Sequence, residues 1–265
     1  MPLRAAALLL AAAVSAGAAR KPDPLVAARQ FYNLGQYDQA LDAAQQAAAN
    51  PSTVSSARLV IGRVRLERYR QTPTETELDD ARADLRAVDP RALDGTERLE
   101  LQIGIAVLMY FDERFGVAAE LLDPIVDAAK PLPPGAHDRA LEWWASSLDR
   151  EAKAASFGER SAIYARITGR MEQELRRDTA SPSAGYWLAA AAQAAGDLER
   201  AWSAASAAWI RAALKPEKSA ALRTDLDNLV MDGVIPAKAA RLPTRERRQA
   251  AASMTADWEA FKKSW

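Results

Sequence analysis

The side chains that most often take part in catalysis are scarce in this chain. It contains one histidine, His137, and no cysteine. The lack of cysteine excludes disulfides, thiolate nucleophiles, thiolate-bound zinc and a lipid-modified N-terminal cysteine. As a general base, His137 would use Asp138 or Glu142 as its neighbour. Because no nucleophile motif accompanies it, we interpret His137 as a solvated residue at the start of a helix, and we predict no metal site and no cofactor.

The short motifs that build phosphate sites or activated nucleophiles are also absent. The sequence has no P-loop, no G-x-G-x-x-G after a strand pattern, no H-E-x-x-H and no G-x-S-x-G. Asp79 and Asp80 are adjacent carboxylates, but neighbouring residues of a helix point in different directions. We interpret this pair as part of a solvated helix face. The sequence therefore predicts no catalytic residue.

The charge balance and the composition indicate which partners and which kind of fold to expect. Lys plus Arg number 35, as do Asp plus Glu, so the formal net charge is zero. Proteins that bind nucleic acid usually carry a basic surplus that neutralises phosphates, so no nucleic-acid partner is expected. Apolar residues make up 49% of the chain, and alanine dominates them. Since alanine favours helices and buries little area per residue, many closely packed helices are predicted.

The first nineteen residues have the pattern of a secretory signal peptide. A positive residue, Arg4, precedes the apolar run 5–14, and the small residues of 16–18 fit a cleavage site. We predict a signal peptide over 1–19, of the Sec type and not of a lipoprotein, in a bacterial protein whose mature form begins near Arg20 or Lys21. The alternative is a buried N-terminal helix. The mature chain is expected in the periplasm or outside the cell, with no transmembrane segment.

Helix signals fill the rest of the chain, and strand signals are nearly absent, so an all-α fold is predicted. Pro124 should kink its helix or end it early. The almost wholly apolar stretch 99–111 should form a central helix. Helix starts are marked by capping residues or by proline at Thr72–Glu75, Asp94 with Glu97, Ser156 with Glu159, Ser181–Pro182 and Lys215–Pro216. Breaks are predicted at 50–51, 89–90, 131–135, 196–197 and 233–236.

Paired helices with short turns lead to a search for repeats. The segment 30–51 (QFYNLGQYDQALDAAQQAAANP) resembles the tetratricopeptide repeat, with Gly35 at the turn and Ala40 in the second helix. The segment 195–209 (AGDLERAWSAASAAW) resembles its second half. The two hairpins that contain these segments depart from the pattern in their first helices, where Pro24 and Gly185 replace the usual tryptophan. The resemblance implies a right-handed superhelix of helical hairpins over 20–213, with C-terminal helices over 214–265 that cap it. A plain antiparallel bundle is the alternative.

The resemblance also implies a concave groove lined by the first helix of each hairpin. Arg29 and Arg63 are expected in this groove to bind an acid in a peptide or partner protein. The groove lacks the Lys/Asn set by which chaperone-binding members of the family hold a C-terminal carboxylate. Alternatively, Ile103 and Val107 are ordinary core, and the neighbouring hairpin fills the groove. The expected lining residues are Leu25, Arg29, Tyr32, Leu59, Arg63, Leu66, Ile103, Val107, Tyr110, Tyr186 and Gln193.

The C-terminal segment predicts a last helix over 245–265 that covers the end of the array. Its apolar residues follow one another at spacings of four, three and four, and they are Met254, Trp258, Phe261 and Trp265. Most of the seven tryptophans are expected in the core. The basic run 241–248 could touch an anionic surface, but we interpret it as a solvated helix start.

Two functions follow from these observations. The first is a non-enzymatic scaffold of the bacterial periplasm or cell envelope that binds a protein or peptide. The alternative is an envelope enzyme that acts on glycan, similar to muramidases that contain helical superhelices. That alternative stays open because a pair of catalytic carboxylates has no local sequence signature.

Overall fold

The computed structural model describes residues 23–127 and 135–265, and within those ranges every regular element is helical. The prediction of an all-α fold is confirmed. The predicted signal peptide and most of the predicted break at 131–135 lie outside the described residues. The helices are α1 (Pro24–Asn33), α2 (Tyr37–Ala48), α3 (Val54–Gln71), α4 (Glu75–Arg86), α5 (Gly95–Phe111), α6 (Phe115–Val126), α7 (Ala136–Ala154), α8 (Phe157–Arg177), α9 (Pro182–Ala194), α10 (Leu198–Arg211), α11 (Pro216–Asn228), α12 (Ile235–Ala240) and α13 (Thr244–Ser264).

Helices that follow one another along the chain pack together as hairpins. The pairs α1–α2, α3–α4, α5–α6, α7–α8 and α9–α10 are in contact. In addition, each odd-numbered helix contacts the next odd-numbered helix, from α1 through α3, α5, α7 and α9 to α11. The odd-numbered helices therefore form one continuous layer. The central position predicted for residues 99–111 is confirmed, because α5 contacts α3, α4, α6 and α7.

Most of the predicted helix starts are correct. Both halves of the capping box are present at Asp94 with Glu97 and at Ser156 with Glu159. The hydroxyl of Ser181 accepts a hydrogen bond from the third residue of α9, which begins at the predicted proline. The predicted start at Thr72 is wrong, since α4 begins at Glu75 and its N-cap Thr74 makes no side-chain hydrogen bond.

The structure differs from the sequence prediction most clearly at 233–236. Instead of a break, a π-helical turn over Leu229–Val234 continues α11 directly into α12. Pro236 is then the second residue of α12, and the wider π turn accommodates the proline ring without ending the helix. Pro124 lies inside α6, which ends only two residues later at Val126. The helix therefore does not end at Pro124 itself, and the kink that was the other possibility stays a prediction.

Small residues lie where two helices approach closely. A Cβ atom on Gly62 of α3 would lie 2.7 Å from Leu85 Cγ of α4. A Cβ on Gly185 of α9 would lie 3.1 Å from the Cβ of Ala208 in α10. The second contact leaves no space for a large side chain at Gly185, the position where the tetratricopeptide pattern would have a tryptophan.

We expect Gly62→Ala to lower the free energy of unfolding by about 1–3 kcal/mol, the usual cost of an overpacked core. Leu85 is itself only 3% exposed and must shift to admit the new methyl group. Gly95→Ala is the matched control, because nothing lies within 4 Å of a Cβ placed there. That control should be neutral or slightly stabilising. Urea denaturation measures both, and equal effects would contradict the packing argument.

The last helix, α13, is anchored to the rest of the fold by Trp258. This residue is fully buried, and its ring centroid lies 5.7 Å from that of Trp202 and 5.6 Å from that of Trp209. Its indole Nε1 donates to Asp227 at 2.7 Å, and Lys262 Nζ donates to the same carboxylate oxygen at 2.7 Å. Burial by itself would raise the pKa of Asp227, but the hydrogen bonds from Lys262 and Trp258 lower it overall.

Of the other three residues of α13 that were predicted to pack, Met254 and Phe261 do so and Trp265 does not. Met254 and Phe261 pack against the same cluster as Trp258. Trp265 does not pack, because the helix ends at Ser264 and 63% of this residue is exposed. Trp144, Trp209 and Trp258 are buried, whereas Trp143, Trp187 and Trp202 are only partly covered.

Candidate functional site

Three adjoining cavities follow the layer of odd-numbered helices, and we call them together the trough. The inner cavity is the smallest, at about 20 Å³. It is therefore almost filled by its own walls, which come from α1, α3, α5 and α7. The lining residues are Tyr32, Arg63, Leu66, Glu67, Ile103, Gly104, Val107, Arg139 and Trp143.

The middle cavity has a volume of about 400 Å³ and is rich in aromatic rings. The ring of Trp143 makes edge contacts with Tyr110 at 5.0 Å and with Phe111 at 5.6 Å between centroids. Helices α3, α5, α7 and α9 line this cavity, and the residues are Glu67, Arg70, Tyr110, Phe111, Arg139, Glu142, Trp143, Ser146 and Trp187.

The outer cavity has a volume of about 500 Å³ and lies between α7, α9 and α11. Its main rings, Tyr186 and Trp187, are in edge contact with centroids 5.4 Å apart. Burial raises the pKa of both the Tyr186 hydroxyl and the Asp225 carboxyl. The lining residues are Asp138, Arg139, Glu142, Pro182, Ser183, Tyr186, Trp187, Ala221, Leu222 and Asp225.

The structure brings seven of the eleven predicted groove residues to this trough. Those seven are Tyr32, Arg63, Leu66, Ile103, Val107, Tyr110 and Tyr186. Leu25 and Leu59 lie in the core, at 8% and 1% exposure, and two of the seven, Leu66 and Val107, are also buried core residues, at 3% and 7%. For Val107 this is the alternative of ordinary core that the sequence had left open. Arg29 forms an ion pair with Glu97 of α5. Gln193 lies against the π turn, with its Nε2 atom 3.5 Å from a Cβ built on Gly233.

The two arginines that were expected to bind an acid already have carboxylate partners. Arg29 is paired with Glu97, and Arg63 Nη1 lies 2.8 Å from Glu100 Oε2. The guanidinium of Arg63 also stacks over the ring of Tyr32, 4.3 Å from its centroid. Burial would lower the pKa of Arg63, but Tyr32 and Glu100 raise it overall, so the side chain stays charged. Both arginines thus join α1 and α3 to their neighbours within the fold.

Sequence analysis missed the contribution of α7. This helix belongs to the hairpin with the least repeat motif, yet it lines all three cavities. Its adjacent tryptophans point in different directions, as the angle of about 100° between neighbouring helical residues requires. Trp144 is buried in the core, and Trp143 faces the trough. The Trp143–Trp144 pair was a local signal that α7 contacts other parts of the protein on two of its faces.

His137 lies at the predicted helix start, as the second residue of α7, but it is only partly solvated. Its Nε2 atom lies 2.9 Å from Oε2 of Glu174 in α8, and 27% of its side chain is exposed. The exposure is lower than predicted because α7 and α8 pack closely enough to cover part of the imidazole. His137 lines none of the three cavities. Asp79 and Asp80 also have partners, in Arg82 and Arg65 respectively.

A metal-binding cluster and a membrane-spanning helix are both absent from the described ranges. Residues 23–127 and 135–265 contain no cluster of His, Asp or Glu that could hold a metal ion. No helix of that part of the chain combines the length and the apolar character needed to cross a bilayer. Comparison with models of protein families, with curated proteins and with solved structures finds no match to this chain.

Proposed function

We propose that this protein is a non-enzymatic scaffold that binds a peptide, or a segment of a partner protein, in the trough. The observation that supports the proposal is the pair of cavities of about 400 and 500 Å³ that adjoin along one layer of helices. Both are lined by aromatic rings together with a few charged groups. Open, elongated spaces with such walls suit the side chains of a bound segment.

A right-handed superhelix of tetratricopeptide-like hairpins is the architecture we propose for residues 20–213. The ordered contacts among the odd-numbered helices support it, because in such arrays the first helices of successive hairpins pack side by side. The close crossings at Gly62 and Gly185 support it too. The helices of 214–265 then act as the cap that covers the last hairpin, with Trp258 at its centre.

The bacterial periplasm or cell envelope is the compartment we propose, on the basis of the N-terminal pattern alone. The positive residue, the apolar run and the small residues of 1–19 support export. A ligand of the trough would then be an exported or envelope-exposed segment.

A peptide-display experiment tests the proposal. We expect purified protein to enrich a family of dodecamers from a random library and to bind them in fluorescence anisotropy. Ser146→Trp should weaken that binding at least about tenfold, because the indole would occupy the middle cavity that Ser146 lines. Ser161→Trp is the matched control, since Ser161 is exposed on α8 and lines none of the three cavities.

Two outcomes would contradict the proposal. One is that no peptide is enriched over an unrelated helical protein. The other is that Ser146→Trp and Ser161→Trp bind the selected peptides equally well while both keep the circular dichroism of the native protein. Incubation with purified peptidoglycan tests the glycan-acting alternative in parallel, and release of muropeptides would show that the protein is an enzyme.

A further inference from the structure

We propose that Arg139 binds a carboxylate in the middle of the ligand segment, and that hydrophobic side chains on either side of that acid occupy the middle and outer cavities. This inference rests on the proposed peptide-binding function. Arg139 thus takes the acid-binding role that the sequence analysis had predicted for Arg29 and Arg63.

Arg139 is the lining residue that the three cavities have in common. It lies near the start of α7, where the inner, middle and outer cavities meet. A ligand that extends from the middle cavity into the outer one must pass this side chain. A guanidinium at such a point can donate two parallel hydrogen bonds to one carboxylate.

Three arginines line the described trough, and Arg139 differs from the other two. Arg63 lies 2.8 Å from Glu100, and Arg70 Nε donates to Glu67 Oε2 at 2.9 Å. Among the described residues, by contrast, the Arg139 side chain forms no ion pair and no hydrogen bond, although its charge acts on the Tyr32 hydroxyl. Its guanidinium can therefore donate to a carboxylate of the ligand.

The cavity walls on either side of Arg139 determine which side chains should flank the acidic residue of the ligand. Tyr110, Phe111, Trp143 and Trp187 face the middle cavity, and Trp187 also borders the outer cavity with Tyr186 and Leu222. Aromatic walls of this kind gain most from large apolar side chains. The segment that fits thus has an acid between two hydrophobic anchors.

The surrounding charges exclude a ligand with many negative groups. Glu67 and Glu142 line the middle cavity, and Asp138 and Asp225 line the outer one. A nucleic acid, with its successive phosphates, would need several basic side chains without ion pairs. Of the described arginines that line the trough, Arg63 and Arg70 are already paired, so the position beside Arg139 suits one carboxylate in an otherwise uncharged segment.

The test uses three arrays of synthetic peptides with the frame Φ-x-Z-x-Φ, where Φ is Leu, Phe or Tyr and Z is Glu, Gln or Lys. We expect the wild-type protein to bind the Glu array about tenfold more tightly than the Gln array, and the Lys array most weakly. Arg139→Gln should abolish the preference for Glu over Gln. Arg139→Glu should reverse it in favour of Lys. Arg177→Gln makes the same change of charge at an exposed position of α8 and should keep the wild-type preference.

Equal binding of the Glu and Gln arrays by the wild type would overturn the role of Arg139 but leave the trough as a peptide site. A preference for Glu that survives in Arg139→Gln would do the same. If none of the arrays and none of the displayed dodecamers binds, the proposed function itself is wrong.

Discussion

Trp258→Ala should lower the free energy of unfolding by about 3–5 kcal/mol, the usual range for a buried tryptophan replaced by alanine. The indole is fully buried between Trp202 and Trp209. Its removal leaves a large cavity under α13 and takes one hydrogen bond from Asp227. Urea denaturation monitored by circular dichroism measures the loss.

Trp265→Ala, at the residue that follows α13, is the control for Trp258→Ala. This residue is 63% exposed, so its replacement should change stability by less than about 0.5 kcal/mol. Its backbone carbonyl, which accepts a hydrogen bond from Arg223, is retained in the variant. If both variants unfolded at the wild-type urea concentration, α13 would be a separately moving helix and not a cap.

We expect Trp144→Ala to cost a similar amount, again about 3–5 kcal/mol, while leaving the walls of the trough in place. Trp144 is 2% exposed and lies in the core cluster formed by α5 to α9. Its Nε1 donates to Asp123 of α6, and the guanidinium of Arg166 lies 5.6 Å from its ring centroid. The variant therefore loses packing between three helices at once.

Trp143→Ala is the neighbouring control and should have the opposite profile. Because its ring faces the middle cavity and is only partly buried, the loss of stability should be smaller than for Trp144→Ala. The loss of affinity for the selected peptides should be larger. Anisotropy and urea denaturation of both variants give the comparison, and the same order of effects in both measurements would contradict the assignment of the two faces of α7.

Much of the fold could be predicted because its signals are local. Capping boxes at Asp94 and Ser156 and the proline that begins α9 act within one helical turn. The stripe of α13 is equally local, and it predicts the contacts of Met254, Trp258 and Phe261. The break predicted at 233–236 was wrong for a physical reason, since a π turn removes the steric conflict that proline normally causes in a helix.

The site was less predictable because its electrostatics depend on distant residues. Arg29 and Arg63 are basic residues in the first helices of their hairpins, which is where a group that binds an acid was expected. Nothing local shows that Glu97 and Glu100, one helical turn apart on α5, neutralise them. Arg139 was missed because its hairpin has almost no repeat motif, and nothing local shows that three cavities meet at this residue.

The nearly filled inner cavity changes how this chain can unfold. In a simple array each hairpin touches only its neighbours, so the ends can unravel independently. Here Tyr32 of the first hairpin and Arg139 of the fourth line the same small space, although they are far apart in sequence. We therefore expect that opening the first hairpin also uncovers part of α7, and that these two hairpins protect each other from hydrogen exchange more than the ends of a simple array would.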